Sequence, residues 1–380
     1  MRIAQIIPGL GLKSGGPSRS VCNLTKGLRN IGLEAEILTN NVLTNPNICD
    51  ESWIKAVEQK RDRPFGYNSR FRSLLSDSSY DIYHIHSVYN YTSLISALVA
   101  RKKSLPYIIA PRGSMYRNAQ KKSHLKKCLF NRLFMINDLN KAAVVHATCF
   151  EEMKELRDFG VKAPIAIIPN SLDIPSVFPA TTFLKKFRVG FIGRINRIKN
   201  IDGLVRAWKI SGLDKSSDAE LVIVGGADRE DERLYYKEIQ DYISVNNITN
   251  IKFEGFKFGT EKSSLLQSFS VVVLPSHSEN FGMVVPEALV YGLPVIASKG
   301  TPWNILSKND CGYWIDNNDT EIANALLTCS QLTIEQRKVI ANNAHLLVSE
   351  HFSTQSVSLR LELLYKWILG RSKKPDFVYY

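Results

Sequence analysis

Residues 271–297 read Val271-Val272-Val273-Leu274-Pro275-Ser276-His277-Ser278-Glu279-Asn280-Phe281-Gly282-Met283-Val284-Val285-Pro286-Glu287-Ala288-Leu289-Val290-Tyr291-Gly292-Leu293-Pro294-Val295-Ile296-Ala297. A short β-branched run enters a polar loop containing glycine, and a helix opens near Pro286. Gly292 and Pro294 stop that helix, and Val295 begins another apolar run. Strand, loop, helix and strand in this order make a parallel crossover unit.

Working outward, the same alternation spans the chain. Strands are predicted at Arg2–Ile7, Glu34–Thr39, Ile82–His86, Tyr107–Ala110, Val144–Thr148 and Ile165–Ile168. A first helix is predicted over about Pro17–Ile31. The pattern restarts after Pro169-Asn170-Ser171-Leu172-Asp173, with strands at Arg188–Ile192, Glu220–Val224, Ile251–Glu254, Val271–Leu274 and Val295–Ala297. Alternation of this kind implies an α/β fold with parallel sheets covered by helices on both faces. The expected organisation is two Rossmann-like, doubly wound domains, 1–178 and 179–355. A C-terminal helix and tail, 356–380, would pack back on the first. The periodic part of that helix is Ser356–Leu369, and the basic, aromatic tail Gly370–Tyr380 reads as loose. Ligands of such sheets lie outside the carboxyl ends of the strands, so facing domains would place a site in the deep cleft between them.

The chain has 380 residues, enough for two full cores, and its 22% charged residues exclude wholesale disorder. The net charge of +13 is uneven. Residues 1–178 hold 25 basic and 14 acidic side chains, and residues 179–380 hold 24 and 22. Arg101 to Arg132 contains ten cations and no carboxylate: Arg101, Lys102, Lys103, Arg112, Arg117, then Lys121, Lys122, Lys126, Lys127 and Arg132. The apolar N-terminal stretch is too short for a signal-peptide core, and no run is long enough to span a bilayer. The six cysteines (Cys22, Cys49, Cys128, Cys149, Cys311, Cys329) show no zinc spacing and read as reduced thiols of a cytosolic protein, without a disulfide.

Three loops lie between strands and helices, where free N–H groups and the helix dipole favour anions. Gly9 to Ser18 contains Gly15, Gly16 and Pro17 but fits neither G-x-G-x-x-G nor a Walker loop. It reads equally as a tight turn and as a phosphate loop. Gly193-Arg194-Ile195-Asn196-Arg197-Ile198-Lys199-Asn200 brings three cations to the start of a helix. Two of them converging on a diphosphate would stabilise it as a leaving group; the bland reading is solvated surface charge. In the third loop Glu279 and Glu287 stand eight positions apart and could bracket the hydroxyls of a sugar and a ribose. Glu287 alone would simply offset the helix dipole.

Taken together, these residues resemble the GT-B-fold retaining glycosyltransferases of family 4, the E-x7-E type, and within it the bacterial O-antigen, capsule and exopolysaccharide enzymes. The resemblance rests on Glu279 to Glu287 with the segment through Ala297, on Gly193-Arg194 and Lys199-Asn200, and on Gly15-Gly16. It extends to Ile168-Pro169-Asn170 with Asp173, to Thr301-Pro302-Trp303 and to Cys311-Gly312-Tyr313-Trp314. It implies that Gly15 and Gly16 approach the donor phosphate and that Arg194 and Lys199 bind the diphosphate. Glu279, with backbone N–H groups of Asn280, Phe281 and Gly282, would hold the transferred sugar, and Glu287 the ribose. It further implies a nucleotide sugar as substrate, transfer with retention, and no cofactor or metal; the chain contains no D-x-D.

Two positions depart from the family pattern. Many members carry a histidine after the strand matching Tyr107–Ala110, and Pro111-Arg112-Gly113 puts Arg112 there. Ser171 stands where glycine usually follows Asn170. On the preceding strand His84 and His86 share a face, and both a cleft role for His86 and a core role stay open.

Leu125, Leu129, Leu133 and Ile136 recur at helical spacing within the basic stripe. Two readings stand: a helix with a solvated cationic face, or one that meets anionic lipid. The second agrees with the resemblance, which implies a polyprenyl-diphosphate-linked acceptor and a place at the cytoplasmic face of the membrane. No recognition helix or aromatic-interleaved platform points to nucleic acid. The alternatives are a sucrose- or glycogen-type synthase, a non-catalytic sugar- or lipid-binding relative, and a dinucleotide-binding oxidoreductase, for which the glycine fingerprint is incomplete.

Overall fold

The computed structural model describes residues 1–11, 16–42, 49, 51–59, 64–117, 130–179 and 185–380. The chain divides into two units, Met1–Asp173 with His351–Tyr380, and Ile174–Glu350.

The first unit opens with β1 (Arg2–Ile6), α1 (Gly16–Asn30), β2 (Glu34–Val42), β3 (Ile54–Gln59) and α2 (Ser69–Asp77). It continues through β4 (Ile82–His86), α3 (Tyr91–Lys102), β5 (Tyr107–Ala110), a π-helical turn at Asn131–Met135 and α4 (Ile136–Asn140). Then come β6 (Val144–Ala147), α5 (Phe150–Asp158) and β7 (Ile165–Ile167). β4, β5 and β6 are buried at every position, as central parallel strands covered on both faces must be. Asn68 and Asn90 cap α2 and α3 by accepting from the N–H groups of Arg70 and Ser93.

The second unit holds β8 (Phe187–Ile192), α6 (Ile201–Ile210), β9 (Ala219–Val224), α7 (Glu230–Val245), β10 (Ile251–Gly255) and α8 (Gly259–Gln267). It closes with β11 (Val271–Leu274), α9 (Val284–Val290), β12 (Val295–Ser298), α10 (Ile305–Lys308), β13 (Gly312–Ile315), α11 (Asp319–Ser330) and α12 (Ile334–His351). Its parallel sheet runs β10-β9-β8-β11-β12-β13 among the described residues. β8 and β11 are neighbours in space although distant in sequence, so the chain reverses direction across the sheet there. Loops leaving these two strands diverge to make the ligand crevice of an open α/β sheet.

The chain then returns as α13 (Thr354–Ile368) and β14 (Val378–Tyr379), completing a first sheet ordered β14-β7-β6-β5-β4-β1-β2-β3. Leu24 and Leu28 of α1 pack with Val357, Leu361 and Leu364 of α13 over Ile3, Ile82 and Ile108. A side chain at Gly27 would overlap Thr354 and Ser358, so glycine there lets the two helices approach. The tail is not loose: β14 pairs antiparallel with β7, Val378 opposite Ala166, because Val378 fills the sheet edge.

The boundaries fall before the expected ones. Leu172 N–H donates to Phe352 O (2.8 Å), and Thr354 N–H to Leu172 O (3.0 Å). These bonds hold 172–173 and 351–355 within the first unit. Phe178, in contrast, stacks on His345 of α12 at 4.0 Å and belongs to the second. The cysteine reading also needs correction. Cys22 and Cys49 are joined as a disulfide, brought together by the apolar cluster of Ile7, Leu10, Val21, Ile37 and Trp53. Cys149, Cys311 and Cys329 stand outside that bridge, and burial pushes each thiol up to about 12, which keeps it protonated. Cys128 lies outside the described residues.

Candidate functional site

In the second unit β8 ends at Ile192 and its backbone passes Gly225 closely; a side chain at Gly225 would overlap the Gly193 carbonyl. Asn196 accepts from Lys199 N–H (3.3 Å) and turns the chain through one 3-10 turn, and Asn200 in the left-handed region (φ 52°) starts α6. Leaving β11, His277 N–H donates to Ile198 O (2.8 Å) and Glu279 N–H to Gly300 O (3.0 Å). These bonds lash the loop after β11 to the loops after β8 and β12. Lys199 Nζ consequently forms an ion pair with Glu279, eighty positions away, both side chains being largely buried.

The remaining expected residues of this unit separate by role. Arg194 is half-exposed and its nearest carboxylate is Glu232 at 3.8 Å, so its head is held only loosely. Arg197 points elsewhere, to Glu238 on α7 at 2.6 Å. The Phe281 carbonyl accepts from Trp303 Nε1, and Gly282 takes φ 79°, where a side chain would meet Leu274. Asn280 sits between Glu279 and this anchored pair. Helix α9 starts at Val284, ahead of Pro286, and Glu287 in its first turns pairs with Lys262 of α8 at 2.5 Å. Lys262 was not a candidate from the sequence, because nothing in Thr260-Glu261-Lys262-Ser263 signals a partner on α9.

Expected residues of the first unit lie at the carboxyl ends of its strands. Gly15 lies outside the described residues. Gly16 opens α1 with open space where a side chain would point. Arg112 follows β5 in the left-handed region (φ 54°), its guanidinium donating to Asn170 Oδ1 and, at 3.0 Å, to His86 Nδ1. Its Nε is buried without a partner among the described residues. Burial lowers its pKa to about 10.

His86 is fully buried and is a core residue of a polar chain. Ile168 O accepts from His146 Nε2 (2.8 Å), whose Nδ1 accepts from His84 Nε2 (3.1 Å). His84 Nδ1 accepts from Tyr365 O–H (2.8 Å), and Tyr365 accepts from Gln5 Nε2 (2.9 Å). Gln5 Oε1 accepts from His86 Nε2 (2.6 Å), leaving Nδ1 to accept from Arg112. Because a carbonyl only accepts, this order gives each imidazole one proton. Desolvation holds all three histidines well below the usual range, His146 at about 3.

Members of the basic stripe are partly consumed internally. Arg101 pairs with Asp138 (2.6 Å), Lys103 donates to the carbonyls of Leu75, Ser76 and Ser78, and Arg117 pairs with Asp158 (2.8 Å). Lys121, Lys122, Lys126, Lys127, Leu125, Leu129 and the side chains of Arg132 and Leu133 lie outside the described residues.

Two parallel-sheet units with ligand loops at the strand carboxyl ends define a GT-B glycosyltransferase architecture. The family model "Glycosyl transferase 4-like domain" matches residues 15–171, and "Glycosyl transferases group 1" matches 176–346. Matched by both over most of its length, the chain belongs to this two-domain glycosyltransferase family. It is 26% identical over 192 residues to a capsular polysaccharide biosynthesis glycosyltransferase, CapM, of Staphylococcus aureus, covering 49% of this chain and 48% of that one. The chain thus spans about half the length of that relative. Sucrose-phosphate synthase from Thermosynechococcus elongatus superposes with TM-score 0.76 at 19% identity, covering 98% of this chain and all of that one. Anabaena HepE, solved with UDP and glucose, gives 0.71 at 19% identity over 95% and 98%. Both likenesses concern the fold.

Proposed function

We propose that the protein is a retaining, metal-independent hexosyltransferase of cell-surface polysaccharide synthesis. The donor is a nucleotide sugar, UDP-linked in preference to GDP-linked, carrying a hexose or N-acetylhexosamine. The acceptor is a saccharide on a polyprenyl diphosphate. The observation that carries this reading is the Lys199–Glu279 pair, a cation and a carboxylate brought from two loops to the crevice edge of one sheet. The capsular role of a relative and the UDP and glucose bound to a structural neighbour support the pathway and the donor.

In this reading Arg194 and Lys199 receive the diphosphate. Glu279 and the Asn280–Gly282 backbone hold the sugar, and Glu287, steadied by Lys262, accepts from the ribose. The bond from the anomeric carbon to phosphate breaks as the acceptor oxygen bonds on the same face. The acceptor proton passes to the departing phosphate oxygen. Fixed cations stabilise the charge that develops there. Arg112 meets substrate from the first unit.

Incubation with radiolabelled UDP- and GDP-sugars and lipid-diphosphate saccharides, in the presence of a chelator, tests the proposal. Glu279→Ala and Lys199→Ala should each lower transfer by roughly 10²-fold or more, with unchanged circular dichroism. Near-normal transfer by both variants, or no nucleotide sugar bound or consumed by the native chain, sinks the reading. Binding without turnover would favour a non-catalytic relative.

A further inference from the structure

Arg112 is a cation that no carboxylate among the described residues touches. Its guanidinium contacts are an amide oxygen and a neutral imidazole nitrogen. Glu152 offsets that charge only from a distance, since its carboxylate accepts from Gly113 N–H (2.6 Å), Thr148 N–H (2.7 Å) and Thr148 Oγ1 (2.8 Å). Burying a charge among groups that only partly compensate it is costly, and folds normally pair such a group. Here the cost persists together with strained backbone, since Ser87, Tyr89 and Arg112 all take positive φ at the ends of β4 and β5.

Two buried donors at this corner lack acceptors among the described residues, Arg112 Nε and the hydroxyl of Ser171, the neighbour of Asn170. Asn170 also accepts from Ser20 Oγ of α1 (3.3 Å), tying the guanidinium to a helix whose N-terminal turn favours negative charge.

The geometry points to a second anion-binding position, within the first unit, where Arg112 receives a carboxylate or phosphate oxygen of a substrate. The inference rests on the transferase reading and deepens it, for it makes one substrate anionic at a point other than the donor diphosphate. The group is a sugar carboxylate if the donor brings it and a phosphate if the acceptor does. Asn170 and His86 are positioning residues, holding the fork by accepting two of its protons.

Inorganic phosphate, followed by 31P NMR, serves as the probe on the full chain. In an Arg194→Gln/Lys199→Gln background phosphate should still bind, and adding Arg112→Gln should weaken it at least tenfold. Asn170→Asp supplies a counter-charge in contact with the guanidinium. It should raise the melting temperature while abolishing phosphate binding, an outcome that a purely structural arginine would not give. In transfer assays Arg112→Gln should raise KM tenfold or more for a nucleotide hexuronate over the matching hexose, or for a phosphorylated acceptor over a neutral one. Which pair responds identifies the source. Phosphate binding unchanged in both variants, or equal losses on charged and neutral substrates, overturns the inference. Absence of all turnover would overturn the transferase reading alone, leaving the phosphate measurement intact.

Discussion

At the scale of single residues, the buried histidines carry the clearest consequence. His84, His86 and His146 each have one proton, fixed by a chain that starts at the Ile168 carbonyl and ends at Arg112. A second proton on any of them would find no acceptor and would face the charge of Arg112. Their folded pKa values are therefore depressed, chiefly by desolvation, whereas unfolded histidine titrates near ~6.5. Below that value the unfolded chain binds more protons than the folded one, so stability falls as pH falls. Each histidine contributes a slope of about 1.4 kcal/mol per pH unit in the window between its two values. Urea midpoints between pH 6.5 and 4.5 should drop steeply, and His146→Gln should make the slope shallower by about one such increment. An unchanged slope would mean that His146 already titrates in the fold. The shared face of His84 and His86 was legible from period-2 spacing. Their partners Gln5, His146 and Tyr365 were not, because they come from other strands and from a helix 360 positions away from Gln5.

Secondary elements were legible where burial is complete. β5 and β11 match their predicted spans, since a fully buried strand is an uninterrupted apolar run. β3 and β13 passed unseen: each lies at a sheet edge and is only partly buried, so Ile54–Gln59 carries Lys55, Glu58 and Gln59 within the strand. β14 was missed because two residues make no pattern. Loop ends at the candidate site were legible as composition, yet the Lys199–Glu279 and Lys262–Glu287 pairings were not, since they depend on which strands become neighbours. The packing of α1 on α13 is of the same kind. Gly27 looks like an ordinary helix residue until α13 is in place, when a side chain would strike Thr354 and Ser358. Gly27→Val should destabilise the chain by about 1–3 kcal/mol through overpacking. Ala at exposed Asn30, on the same helix, should stay within about 0.5 kcal/mol. Equal urea midpoints for the two variants would show that the helices separate freely.

For the whole molecule, the net charge of +13 asks where it is used. The structure removes several cations from the account, since Arg101, Lys103 and Arg117 bond within the first unit and Arg112 donates to Asn170 and His86. What remains of the stripe is Lys102, Lys121, Lys122, Lys126, Lys127 and Arg132, and the four lysines from 121 to 127 have no acidic residue between them in sequence. Among the described residues no helix is long and apolar enough to cross a membrane. In the proposed reading these lysines bring the chain to its lipid-linked acceptor by surface attraction. At roughly 1 kcal/mol per lysine near an anionic bilayer, four lysines supply about 4 kcal/mol, roughly a thousandfold in partitioning. Replacing all four with glutamine should therefore abolish sedimentation with vesicles rich in anionic lipid while leaving the melting temperature unchanged. The native chain should lose the same binding as salt rises, because the Debye length shortens to about 3 Å at 1 M. Sedimentation that is insensitive to both changes would assign these lysines to a solvated face and require an apolar contact to bring the acceptor.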